Sequence, residues 1–128
     1  MESSRVVVDT NIFIDYLRAK DKKNTELFEI PDDNEICISS ITLYELLMGA
    51  TNEKKRKDVQ LLTKGLSVLP FDEDISVLAS DIYHRLRKSN KMIEFRDIFI
   101  AATCLAYDLP IKTSNKNHFQ RIEGLKFR

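Results

Sequence analysis

Histidine and cysteine are scarce in this chain, and their scarcity narrows the chemistry open to it. The two histidines, His84 and His118, stand far apart with no cysteine beside either, so the clustered ligands of a zinc site are missing. The two cysteines, Cys37 and Cys104, each lie within an apolar run, and they read as small buried hydrophobes rather than a disulfide. The three glycines, at 49, 65 and 124, are isolated, which leaves no glycine-rich loop to cradle a phosphate. With only three prolines and no Ser-rich tract, nothing marks a linker or a disordered tail. A Ser-His-Asp triad has no nucleophile-elbow motif to support it. No run approaches the roughly 20 apolar residues of a membrane span, and the opening segment as far as Val8 lacks the apolar core of a secretory leader. A cytoplasmic protein is the expectation. Net charge is missing too: Lys plus Arg and Asp plus Glu each number 20, so charge alone announces no nucleic-acid partner.

What the chain does contain is enough apolar residues, 43% of 128, for one buried core, and a single domain over residues 1–128 is expected. The β-branched run Arg5-Val6-Val7-Val8 fits a buried strand that stops at Asp9. Ile12, Phe13, Tyr16 and Leu17 follow at helical spacing. Ile36 to Ser39 reads as a second strand, leading into a helix that carries Ile41, Tyr44, Leu47 and Met48 on one face. A charged helix over Asn52 to Leu66 precedes a third strand over Ser67 to Phe71. An amphipathic helix over Asp74 to Lys88 and a mostly apolar, central helix over Phe95 to Tyr107 come next. A fourth strand over 110–113, a helical turn over 115–122 and a short last strand over 125–127 complete the series. Such alternation predicts an α/β fold, with a central parallel sheet covered by helices on both faces. Ligands collect outside the carboxyl ends of such strands, where Asp9 and the residues after Ser39 and Thr113 would lie.

Three carboxylates stand out by their surroundings. Asp9 ends an apolar strand and begins a helix, a place where an aspartate commonly caps the helix and where one of its oxygens can also point into a cleft. Glu45 follows Thr42 by three residues, as in a capping box, although Ser39 and Ser40 are equally good caps. Asp97 lies in the most apolar helix, where a carboxylate is costly to bury without a counter-charge. Neighbouring Arg96 does not face it on a helix, and a divalent cation is one way to supply the charge. Clustered carboxylates repel one another, bind protons more tightly and attract hard cations, so Mg²⁺ or Mn²⁺ suits them. Basic residues bunch elsewhere, and Arg85, Arg87, Lys88 and Lys91 are the leading candidates for holding phosphates, should the chain take a nucleic acid.

Four segments go further. Val6-Val7-Val8-Asp9-Thr10-Asn11-Ile12-Phe13-Ile14, Ser39 through Gly49, Asp97-Ile98-Phe99-Ile100-Ala101-Ala102 and Thr113-Ser114-Asn115-Lys116-Asn117-His118-Phe119 occur in the order seen in PIN-domain proteins. The chain resembles most closely the VapC-type toxins, and the likeness covers nearly all of it. The resemblance implies an acidic pocket at the carboxyl edge of the sheet, with metal-binding roles on Asp9 and Asp97 first and Glu45 next. Glu94 is a weaker candidate, because helical spacing alone turns it toward the same cleft. Many relatives carry an aspartate where this chain has Asn115. Thr113 is expected to orient a neighbouring carboxylate or water, and Thr10 and Asn11 to position Asp9. The resemblance also implies a metal-dependent endoribonuclease, an antitoxin partner and a homodimer. A PIN fold that binds RNA or protein without cutting, and a nuclease acting on DNA, stand as alternatives.

Overall fold

The computed structural model describes residues 4–128, so the first three residues of the opening segment lie outside the described residues. Four strands, β1 (Ser4–Val8), β2 (Asn34–Ser39), β3 (Ser67–Leu69) and β4 (Ile111–Lys112), pair in parallel in the order β3-β2-β1-β4. Among the described residues seven α-helices surround them, with a 3-10 turn over Lys22–Asn24 between the first two: α1 (Thr10–Arg18), α2 (Glu26–Glu29), α3 (Ser40–Gly49), α4 (Glu53–Thr63), α5 (Glu73–Lys88), α6 (Phe95–Ala106) and α7 (Lys116–Phe119).

The unbroken apolar character of β1 follows from burial on both faces. Val6 and Val8 join Ile12, Phe13, Ile38, Leu46 and Val59 in one core, beneath α1, α3 and α4. Val7 points the other way and joins Cys37 with Ile75, Ile82, Ile98 and Ile100 of α5 and α6. The α/β expectation therefore holds, with helices on both faces. α6 is as central as its composition implies: Ile98 and every residue from Ile100 to Cys104 are buried. Both cysteines are free and buried, and burial pushes the Cys104 thiol up to about 12.

Three expectations need correction. The inward face of α3 is not Ile41, Tyr44, Leu47 and Met48: Tyr44 and Met48 are 62% and 60% exposed, whereas Thr42 and Leu46 are buried. The physical reason is polar: the buried Thr42 hydroxyl bonds those of Ser39 and Thr10. The last expected strand reduces to a single bridge between Ile111 and Phe127. The helical turn expected over 115–122 contracts to Lys116–Phe119.

The chain leaves β1 toward β2 on one side and later returns to place β4 on the other, which makes the gap beyond β1 and β4 a topological switch point. The Asp9 amide donates to the Lys112 carbonyl across that gap at 3.0 Å. Asp9 and Thr113, the first residues past their strands, are therefore neighbours despite lying 104 positions apart.

Candidate active site

Asp9 caps α1 and also lines the cleft beyond the strand ends. One carboxylate oxygen accepts from the Thr10 amide at 2.8 Å at the start of α1, and the other accepts from the Thr113 hydroxyl at 2.8 Å. Thr113 is itself held because its hydroxyl oxygen accepts from the Asn115 amide at 2.9 Å. Asp9 is only 3% exposed. Burial raises its pKa above the ordinary carboxylate value, with the nearby charges of Asp97 and Glu45 adding to the effect; the two hydrogen bonds oppose it only partly.

Glu45 belongs to the pocket and does not close a capping box. The cap of α3 is Ser39, whose hydroxyl accepts from the Thr42 amide at 3.0 Å. Ser39 donates to the Thr42 hydroxyl at 3.1 Å, the Thr42 and Thr10 hydroxyls share a 3.0 Å bond, and Thr10 donates to Glu45 Oε1 at 2.9 Å. Each hydroxyl has one proton to give, so the chain runs from Ser39 through Thr42 and Thr10 to the carboxylate. This is the seat that turns Thr42 inward, and it fixes the starts of α1 and α3 against each other. The other oxygen of Glu45 accepts from Arg96 at 2.8 Å.

Asp97 sits in the first turn of α6, its side chain 14% exposed, with Oδ2 3.5 Å from Nδ1 of His118. Burial again raises its pKa; hydrogen bonding with His118 opposes the shift and the Glu94 charge reinforces it. Arg96 turns away from Asp97, as helical geometry requires, and bonds Glu94 at 2.7 Å as well as Glu45. Those two bonds, that to Glu45 first, hold the guanidinium pKa above its ordinary value.

A cleft of about 220 Å³ brings together Asp9, Thr10, Asn11, Glu45, Glu94, Asp97 and Asn115. Asn11 is exposed at its rim. Two lining residues, Arg96 and His118, were not assigned to the pocket by the sequence reading. Arg96 escaped because its main partner lies 51 residues away. His118 escaped because scarce histidines were weighed only as a zinc pair. Its signal was its position, three residues after Asn115 in the segment following Thr113, and Asn115 Nδ2 does lie 2.8 Å from its Nδ1. Arg85, Arg87, Lys88 and Lys91 do not line the cleft; they are exposed at and just beyond the end of α5, where Arg87 donates to the Tyr83 hydroxyl.

The donor set fits a hard divalent cation. Asp9 and Asp97 offer carboxylate oxygens whose proton affinity burial has raised, and no salt bridge reaches Asp9 among the described residues. The side chains are not drawn to ligation distance as they stand: among the described residues no three His, Cys, Asp or Glu groups form a metal cluster.

Residues 6–125 match the PIN domain family. The chain is 32% identical over 127 residues to the ribonuclease VapC1 of Methanocaldococcus jannaschii, covering 98% of this chain and 88% of that one. It is 28% identical over 126 residues to the tRNA(fMet)-specific endonuclease VapC of Shigella flexneri, covering 95% of each. Among solved structures it is similar to VapBC-1 from nontypeable Haemophilus influenzae, with a TM-score of 0.82, 28% identity and 97% and 96% of the two chains covered. It is also similar to the DNA-bound VapBC of Salmonella typhimurium, with a TM-score of 0.80, 27% identity and coverage of 98% and 97%. A parallel sheet whose switch point opens onto clustered carboxylates, together with matches that run almost end to end, places the chain in the PIN domain family and, within it, in the VapC group.

Proposed function

We infer that this chain is a metal-dependent endoribonuclease, the toxin of a type II toxin-antitoxin pair, with Mg²⁺ or Mn²⁺ as cofactor. The observation that carries the metal site is Asp9: a buried carboxylate with raised proton affinity, locked by Thr10 and Thr113, facing Asp97 and lacking an ion-pair partner among the described residues. Asp9 and Asp97 would hold the ion, with Glu45 across the cleft. A divalent cation there supplies Lewis acidity toward water and offsets the charge that grows on a phosphodiester under in-line attack. Thr113 keeps Asp9 aimed into the cleft, His118 stands beside Asp97 and meets Asn115, and the buried hydroxyl chain holds Glu45. We assign Arg85, Arg87, Lys88 and Lys91 to RNA phosphates outside the acidic cleft, because like charge keeps a polyanion from resting on the carboxylates themselves.

A cognate antitoxin and a homodimer complete the reading. Tyr44, Met48 and Phe95 are exposed beside the cleft and border a second, apolar groove of about 650 Å³, the kind of surface that a protein partner covers. No helix among the described residues is long and apolar enough to cross a membrane. We place the protein in the cytoplasm, where two reduced, buried thiols are at home.

The test is cleavage of RNA and of DNA of the same sequence, with Mg²⁺, with Mn²⁺ and in excess EDTA. Metal-dependent cutting of RNA alone is the expected result. Full activity in EDTA contradicts the mechanism, preferential cutting of DNA reassigns the substrate, and RNA binding without cutting leaves a non-catalytic module.

A further inference from the structure

We propose that the Arg96 guanidinium occupies the place of a second cation in this cleft, so that the site takes a single divalent ion between Asp9 and Asp97 and uses Arg96 as its other positive charge. The inference rests on the metal reading above and adds the ion count and the role of one residue. Four carboxylates face the cleft, and the structure divides them into two pairs. Glu45 and Glu94 are tied together by Arg96, at 2.8 Å and 2.7 Å. Asp9 and Asp97 have no such tie, and the one imidazole near Asp97 stands at 3.5 Å.

The glutamate pair is closed to a second ion for three reasons. Both oxygens of Glu45 are already engaged, one by the Thr10 hydroxyl and one by Arg96. A divalent cation entering there would meet a fixed positive charge that never deprotonates. It would also have to replace charge-assisted hydrogen bonds to Glu45, whose side chain is only 8% exposed. Asn115 accords with the same count, since a neutral amide stands where an aspartate would add charge for another ion. Arg96 is itself 54% exposed at the mouth of the cleft, so its unused N–H groups can meet a phosphate oxygen.

The experiment is a titration of the purified chain with Mn²⁺, counting bound ions by calorimetry and by electron paramagnetic resonance, for the parent and for Arg96→Met. The parent should bind one ion. Arg96→Met should bind that ion at least as tightly and accept a second, with a spin-coupled pair in the resonance spectrum. Adding Glu45→Gln to Arg96→Met should remove the second ion and keep the first. Arg96→Gln repeats the test with a polar side chain should the methionine variant fold poorly. Two ions in the parent, or one ion in the parent and in both arginine variants, would overturn the role of Arg96 while leaving the metal site in place. No bound ion in any protein would overturn the metal reading itself, and this proposal with it.

Discussion

Asp9 and Glu45 are gripped by the same residue, yet they live in opposite electrostatic conditions. Thr10 gives its amide to Asp9 and its hydroxyl to Glu45. Glu45 also receives a guanidinium, whereas Asp9 receives only the neutral hydroxyl of Thr113. The same division separates Glu94 from Asp97, three residues apart at the start of α6. One half of the cleft thus shares a single guanidinium, and the other keeps its negative charge largely out of water with only the His118 imidazole, 3.5 Å from Asp97, beside it. Burying an unpaired carboxylate costs several kcal/mol by general estimates, roughly 1–3 when hydrogen bonds compensate in part. A fold sustains such a cost where function uses it, and the half with the unpaid charge is therefore where a cation should matter most.

The largest effect that would break this contrast is expected from Thr113→Val. The change keeps the shape of a buried side chain but deletes the one side-chain donor to Asp9 Oδ2 and the acceptor for the Asn115 amide. Metal affinity should fall by about 10- to 100-fold, the usual consequence of losing a group that orients a ligand. Folding stability at neutral pH should fall by about 1–3 kcal/mol, because the carboxylate loses a charge-assisted hydrogen bond. Calorimetric Mn²⁺ binding and urea unfolding measure the two. An unchanged affinity would mean that Asp9 needs no help in aiming at the cleft.

A smaller effect sharpens the contrast through pH. Asp9 and Asp97 both titrate above the ordinary value, chiefly because they are buried. A raised folded pKa means that the folded chain binds the proton more tightly than the unfolded chain does. The resulting stability is fully present below the unfolded value, about 3.9, and is lost as pH rises through the raised folded values. Asp9→Asn has no proton to lose. In EDTA, the melting temperature of Asp9→Asn relative to the parent should therefore climb as pH rises through that window, and level off above it. A difference that stays flat across the acid range would show that Asp9 is not strained by its charge.

The smallest effect is expected from Asn115→Asp, which adds a carboxylate beside His118 and near Asp97. Binding of Mn²⁺ at low concentration should tighten, by less than about tenfold, since the new charge lies in a polar and partly exposed setting. An unchanged titration would place Asn115 outside the reach of the ion.

How far the sequence foretold this cleft depends on the range of the interaction concerned. Asp9, Glu45 and Asp97 could be picked out because each interrupts or ends an apolar segment, and such an interruption is visible locally. The α/β order was legible for the same reason: β1 and α6 announce their burial through unbroken apolar content. The inward face of α3 was not legible, because Thr42 is buried to complete a hydroxyl chain and apolar periodicity is blind to that. Arg96 was judged against its neighbour Asp97, whereas its main partner came from another helix 51 residues away. His118 was dismissed for want of a second histidine, although it needed only Asn115 and Asp97. The two-residue β4 and the lone bridge at Phe127 are too short to carry a period at all.

Asp97→Asn tests the central claim most directly, because it keeps the shape of the side chain and removes one charge from the half of the cleft that no guanidinium reaches. Thermal melts of parent and variant in EDTA and in millimolar Mn²⁺, run beside an RNA cleavage assay, give the answer. If Asp97 holds the ion, the variant should be at least as stable as the parent in EDTA. Mn²⁺ should raise the melting temperature of the parent by the mass action of a ligand that binds only the folded state, and raise that of the variant much less, with cleavage falling in step. A variant destabilised in EDTA by about 0.5–2 kcal/mol, as for a lost cap or ion pair, that nonetheless kept its Mn²⁺ response and its cleavage would contradict the claim and return Asp97 to a purely structural role.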